Sequence, residues 1–374
     1  MIDPTSIPGL GLAWLDASGE HADIVLSTRV RLARNLQGHA FGPRARVNDR
    51  EAILRQVRDL GLRADTLQRA HLWELSDLDG RARSILLERR LISKDLMGEG
   101  GEVVRGGGVV VSPDGPLGIM VNEEDHLRLQ VLVSGLRLNE AWNEIDRLDE
   151  ELGRELPFAF HPTYGFLTSC PTNVGTGLRA SVLVHLPGLV LTKEISGVLH
   201  GLGQVGLTFR GLYGEGSEVV GNFFQISNQT TLGKTEEDLV EHLDRVVRQV
   251  VRHEIRARSV LLREARGVTE DKIWRAYGLL RYARSLSFEE LMNLLSGVRL
   301  GASLNLLPRP RVYTLNKLMI FTQSAHLEEA AGRDLSDGER DAHRASYVRE
   351  VLADEGEIEP DARAADEADP DGHP

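Results

Sequence analysis

Cysteine occurs once in 374 residues, at Cys170, which excludes a disulfide framework and fits a reducing cytoplasm. No run of 18 apolar residues occurs, and the opening MIDPTSIPGLGLAWLDASGE has no basic stretch followed by an apolar one. Neither membrane insertion nor export is therefore expected. The signatures G-x-x-x-x-G-K-[ST], H-E-x-x-H and paired C-x-x-C are all missing, which excludes a P-loop, a zincin site and a four-cysteine metal site. Gly201 to Gly206 does spell G-x-G-x-x-G, but a helix-like segment precedes it and a strand follows, the reverse of a dinucleotide turn. Positive charge is short as well: Lys and Arg number 44 against 56 Asp and Glu, a net of −12. Nine of those acids and a single arginine fall between Asp354 and Pro374, leaving about −4 for the rest. An acidic body argues against nucleic acid as a partner. The acidic end, rich in Ala, Gly and Pro, is expected to be disordered.

What is present points to two domains, as the length suggests. Asp23 to Leu32 (DIVLSTRVRL) reads as a strand, and Asn48 to Leu60 has helical spacing at Ile53, Leu54, Val57 and Leu60. Gly98 to Gly108 reads as a glycine-rich loop. Residues 109–111 and 117–121 flank a Ser-Pro-Asp-Gly-Pro turn as a hairpin, and a helix is expected to run from Arg128 toward Leu152. Further strands are expected at 164–168, 181–186, 207–210 and 222–226. From Thr235 to Arg266 the period changes to one long helix with Leu239, Leu243, Val246, Val247 and Val250 on one face. Thr269 to Ala353 continues as helices, with breaks at Gly267, Ser285–Ser287 and Leu307–Pro310. The fold class is α+β: an antiparallel sheet flanked by helices, followed by an all-helical C-terminal domain. The expected segments are 1–22, 23–266, 267–353 and a tail of 354–374.

The lone thiol sits in Cys170 to Ala180, C-P-T-N-V-G-T-G-L-R-A, a loop punctuated by Pro171, Asn173, Gly175 and Gly177. Arg29, Arg31, Arg128, Arg179 and Arg210 stand beside strand or glycine features, Glu123, Glu124 and Asp125 at a strand end, where they could equally cap a helix start, and Glu215 in a loop. Planar donor forks suit phosphate oxygens, and phosphoryl transfer is catalysed mainly by positioning and charge neutralisation. Together these residues suggest that chemistry, with a divalent cation bridging the phosphates.

Four motifs, V-L-S-T-R-V-R-L-A-R, N-E-E-D-H-L-R, C-P-T-N-V-G-T-G-L-R-A and R-G-x-x-G-E, resemble in this order those of the ATP:guanidino phosphotransferases, the creatine and arginine kinase family. The resemblance implies that Glu124 and Glu215 orient an acceptor guanidinium and take its proton, with Cys170 contacting it as a thiolate. It implies a nucleotide held by Ser27, Thr28, Arg29, Val30 and Arg31; by Arg90 and Arg128; by Arg179, Ala180, Ser181, Val182 and Leu183; and by Arg210, Gly211, Leu212, Tyr213, Gly214 and Glu215. ATP and Mg2+ are the implied cofactors, with no metal site of the protein's own. The carboxylates are needed because a guanidinium carries no free lone pair for attack.

The chain departs from the small-substrate kinases. It has only 26 residues before S-T-R-V-R and adds the helical region after residue 266. Residues 271–281, 298–304 and 315–323, with Arg340, Asp341, Ala342, His343, Arg344 and Ala345 (an R-D-x-x-R-A motif), resemble the bacterial protein-arginine kinases of the same family. In that subgroup the motif forms a regulatory phosphoarginine pocket. Arg90 and Leu183 stand where the wider family and the creatine kinases carry histidines. The resemblance implies protein substrates bearing arginine, a homodimer through the helical domain, and partners among Clp-type protease machinery, a stress-gene repressor and a zinc-binding activator. A kinase of free arginine or another small guanidino compound is the alternative, and a non-catalytic phosphoarginine reader a further one.

Overall fold

The computed structural model describes residues 3–7, 9–61, 65–67, 69–98, 103–112, 115–211 and 220–356. Ten strands are described: β1 (Val25–Arg34), β2 (His71–Glu74), β3 (Gly108–Val111), β4 (Leu117–Val121), β5 (Leu127–Ser134), β6 (Phe160–His161), β7 (Gly165–Phe166), β8 (Leu178–His185), β9 (Leu207–Gly211) and β10 (Phe223–Asn228). Eight of them form one sheet in the order β2-β3-β4-β5-β1-β8-β10-β9, and β6 and β7 make a separate hairpin. Every pairing is antiparallel. The helices before the C-terminal region are α1 (Val47–Gly61), α2 (Gly80–Glu88), α3 (Lys94–Met97), α4 (Leu138–Glu155), α5 (Pro187–Leu191), α6 (Ile195–Gln204) and α7 (Glu236–Glu264). The C-terminal region is α8 (Arg266–Tyr282), α9 (Phe288–Ser303), α10 (Val312–Phe321), α11 (Ser324–Ala331) and α12 (Asp337–Asp354).

Alternation along the strands sorts the sheet's two faces. Val30 and Leu32 of β1, Leu129 and Val131 of β5, Ala180 and Val182 of β8 and Ile226 of β10 join one core with Ile53 of α1, Ile145 of α4 and Leu243 of α7. The opposite face is graded along the strands. Arg29 and Arg31 give way to Leu26 on β1, Arg179 to Leu183 on β8, and Gln225 to Phe223 on β10. Leu26, Leu183 and Phe223 share a second core with Leu295 of α9, Leu315 of α10 and Val348 of α12. The helical region therefore docks on the apolar end of this face and leaves the arginine end open.

Three expectations are corrected. Residues 127–134 form β5, so the helix expected after Arg128 begins only at α4. Leu127, Leu129 and Val131 alternate with Arg128 and Gln130, a period of two that fits a strand buried on both sides. The break after α7 falls at Ala265, and Gly267 lies within α8. Only Gly165–Phe166 of the strand expected at 164–168 is extended in a ladder. The helix α6 before β9 agrees with rejecting Gly201–Gly206 as a dinucleotide turn. Residues 99–102 of the Gly98–Gly108 loop, Leu212 to Glu215, and the tail from 357 onward lie outside the described residues.

Candidate active site

The open end of the graded face is the floor of a cleft of about 840 Å³. Because Arg29 and Arg31 are two residues apart on β1, both point into it, and antiparallel pairing brings Arg128, Arg179 and Arg210 beside them. Arg31 stands directly across the ladder from Arg179, and Arg29 across from Ser181 and Leu132. Arg210 of β9 faces Gln225, whose Oε1 accepts from Arg29 Nη2 at 3.3 Å. Like charges placed directly opposite destabilise a sheet, so this floor is built for an anion.

The electrostatics agree. Burial, with Arg90, Arg128 and Arg179 as like charges, pushes Arg29 down to about 9. Burial and then Arg29, Arg128 and Arg179 push Arg31 well below the ordinary arginine value, against a pull upward from Glu123. The buried Nε of Arg31 has no hydrogen-bond partner among the described residues. A polyphosphate would supply the missing acceptors and relieve the repulsion. The described residues contain no group of three His, Cys, Asp or Glu placed to hold a metal ion. Mg2+ suits such a site when it arrives on the nucleotide, since it keeps several waters and binds through phosphate oxygens.

The turn between β4 and β5 delivers two acids with different surroundings. Glu123 is fully buried and accepts from Arg128 Nη1 at 2.5 Å, while Glu124, 38% exposed, accepts from Arg128 Nη2 at 3.1 Å. Only Glu124 lines the cleft. Burial raises its carboxyl above the ordinary range, Arg128 pulls it back, and Asp125, Glu123 and Asp95 push it further up. Asp125, 1% exposed, accepts at 2.6 Å from both Asn35 Nδ2 and the backbone N–H of Ser169. The acid turn is thereby tied to the residue before Cys170. Cys170 lines the cleft with its Sγ 3.0 Å from Thr172 Oγ1. Gly177, at φ +66, lets the cysteine loop lie against β1, where a Cβ would sit 2.6 Å from Ala33 O.

Of the expected nucleotide residues, Arg29, Arg31, Arg90, Arg128, Arg179 and Arg210 line the cleft. Val30, Ala180 and Val182 point into the core on the other side, and Leu183 is packed under the helical region, so these side chains have no access to it. Ser27, Thr28 and Ser181 are buried, with the Thr28 hydroxyl donated to Gly135 O at 2.7 Å. Gly211 ends β9, and Leu212, Tyr213, Gly214 and Glu215 lie outside the described residues. Arg90 is held at φ +65, with its carbonyl accepting from Gln130 Nε2 at 2.9 Å and its guanidinium 5.4 Å from the Trp14 ring. Sequence reasoning missed Trp14, Asp95, Gln225 and the wall of Met319, Ile320 and Gln323 supplied by α10 and its end. Gln225 was the readable one, a polar residue in the apolar strand FFQISN.

The R-D-x-x-R-A residues lie on α12, outside the cleft lining. Arg340 pairs with Asp337 and, at 3.6 Å, with Glu328. Arg344 is buried, donating from Nε to Thr322 O (2.9 Å) and from Nη1 to Leu286 O (2.8 Å) and Asp341 Oδ1 (2.6 Å). Ala345 is in the second core, whereas Ala342 and His343 face solvent.

Residues 53–257 match the family model "ATP:guanido phosphotransferase, C-terminal catalytic domain". The chain belongs to this family. Residues 266–364 match a second model, "Protein-arginine kinase McsB C-terminal domain". A protein-arginine kinase of Symbiobacterium thermophilum is 48% identical over 344 residues, covering 91% of this chain and 96% of the relative. That of Brevibacillus brevis is 44% identical, covering 91% and 94%. In fold, the guanidino phosphotransferase chain is similar to a solved lombricine kinase, with a TM-score of 0.55, 24% identity and coverage of 64% of this chain and 70% of that one.

Proposed function

We propose that this guanidino phosphotransferase is a protein-arginine kinase, transferring the γ-phosphoryl group of Mg-ATP to a guanidino nitrogen of arginine residues in proteins. The observation that carries the reading is the juxtaposition in one cleft of five floor arginines with Glu124 and Cys170. The relatives' names direct it to protein arginine. Arg29, Arg31, Arg128, Arg179 and Arg210 would grip the triphosphate. Glu124 would align the acceptor nitrogen and take its proton as the N–P bond forms, the bond to the β-phosphate oxygen breaks and ADP leaves with that electron pair. Cys170 would contact the guanidinium, and Glu215 is the second carboxylate that the family resemblance supplies. Incubation with ATP and either an arginine-rich protein or free arginine, read by mass spectrometry without acid, tests this. Phosphoarginine within the protein is expected; label on the free amino acid alone would overturn it.

The R-D-x-x-R-A motif is read as a regulatory phosphoarginine site. Arg344 is already committed to three acceptors, so Arg340, half-buried and paired with the exposed Asp337 and with Glu328, is the cation that would exchange for a phosphate. Added phosphoarginine should change the activity of the parent and not that of Arg340→Ala. Exposed Val268, Trp274, Leu279 and Tyr282 on α8 suit a homodimer through the helical region. The wider setting is a cytoplasmic one, with Clp-type protease machinery, a stress-gene repressor and a zinc-binding activator as partners, marking proteins for regulation or degradation.

A further inference from the structure

The hairpin of β6 and β7 precedes the cysteine loop and carries two large side chains that no core explains. Phe160 and Tyr164 are each 54% exposed, and so is Leu232, which lies on the far side of the same loop. The backbone that carries them is tied together, and the Tyr164 ring stacks on His161 at 4.8 Å. Phe166 exchanges backbone hydrogen bonds with Gly175 at 2.8 and 3.3 Å. Beneath the hairpin the Arg34 guanidinium sits 3.5 Å from the centroid of the Phe166 ring, itself fixed by Asp149 at 2.7 and 2.9 Å. Phe160 meets the edge of Phe166 at 5.3 Å. Gly165 (φ +73) and Gly175 (φ +112) let three backbones converge: a Cβ on Gly165 would lie 2.5 Å from Gly175 O, and one on Gly175 would lie 2.9 Å from Leu232 Cα. Exposed apolar side chains fixed on a stiff frame are the mark of a binding surface.

We propose that Phe160, Tyr164 and Leu232 form a docking surface for an extended, unfolded segment of the acceptor protein, receiving apolar or aromatic side chains that flank the arginine to be phosphorylated. The inference rests on the acceptor reading given above. It is carried by continuity: residues 167–170 connect the hairpin to the cleft through a bend, pinned where Thr168 Oγ1 donates to Cys170 O at 2.7 Å. Four residues reach at most roughly 13 Å even when fully extended, so a chain seated on the hairpin can lay its arginine into the cleft. A lone guanidinium offers too little contact area to select a protein, whereas unfolded segments present the apolar side chains that this rim can take.

The test is the double variant Phe160→Ser/Tyr164→Ser, both sites being solvent-exposed, compared with the parent on β-casein, an unfolded arginine-containing protein, and on N-acetyl-arginine amide. The KM for casein should rise about tenfold, as for loss of two aromatic anchors, with kcat on the small acceptor and the KM for ATP unchanged. Binding of fluorescent casein in the absence of ATP should weaken in parallel. Unchanged casein binding would overturn the proposal, as would an equal loss on both acceptors or a change of oligomeric state by light scattering. A parent that binds casein through these side chains but phosphorylates no protein would refute the kinase reading while leaving the surface standing.

Discussion

Glu123 and Glu124 are adjacent, chemically identical, and do different work. Glu123 is buried against Arg128 and fixes that arginine, while Glu124 shares Arg128 and faces the cleft. Glu124→Gln should lower kcat at least about 100-fold with little change in the KM for ATP, the usual range for a lost general base. Burial raises the Glu124 carboxyl, so the acid limb of kcat/KM should lie above the ordinary carboxylate value of 4.5. Activity needs the carboxylate and is lost as pH falls through that raised value. Arg128 holds it down, so Arg128→Gln should move the limb upward, and a limb that stays put would refute the assignment. Asp125 was legible only as one acid among three. Its burial and its bonds to Asn35 and Ser169 appear only once β1, the acid turn and the cysteine loop meet. Asp125→Ala should cost about 3 kcal/mol by leaving buried donors without an acceptor, measured by chemical denaturation.

At the scale of elements, periodicity revealed β1, the β3–β4 hairpin and α7, whose Thr235 cap makes a reciprocal box with Asp238. It failed at β5, where the acids of the preceding turn resemble a helix start although Leu127, Leu129 and Val131 alternate with Arg128 and Gln130. Capping from a distance was illegible. Glu254 of α7 accepts from the backbone N–H groups of Gly188 and Leu189, both at 2.9 Å, and so caps α5. Glu88, the last residue of α2, does the same for α11, accepting from Ala325 N at 2.8 Å and His326 N at 3.2 Å. Both acids lie far along the chain from the helix they cap, beyond any local pattern. The cap of α12 is local. Bonds from Arg333 and then from the Ser336 backbone and hydroxyl hold Glu339 down to about 2. A carboxyl depressed in the folded state stabilises at pH above its ordinary value, and that stability is lost as pH falls toward the folded value. Glu339→Gln should therefore lose less melting temperature than the parent between about pH 5 and pH 2.

For the whole molecule, the graded sheet face decides the architecture. The same strands that hold the arginines at one end bury Leu26, Leu183 and Phe223 under the helices at the other. Glu88 and Arg89 stitch the two regions through His326, whose Nδ1 lies 2.6 Å from Glu88 Oε2 and whose Nε2 lies 3.2 Å from Arg89 Nε. Glu88→Ala should strip α11 of its cap and cost about 2 kcal/mol. In calorimetry it should split one unfolding transition into two, with the helical region melting first; a single unsplit transition would show that this seam does not couple them. The motifs made the arginines legible, but nothing local placed α10 against the cleft. Met319 and Ile320 there, and Gln323 just beyond, all lie within three residues of Thr322, whose carbonyl is held by Arg344. Thermodynamic reciprocity then applies: if an effector gripping α12 tightens or loosens ATP by some factor, ATP must alter the grip of that effector by the same factor. Nucleotide supply would thereby report itself to the far end of the chain.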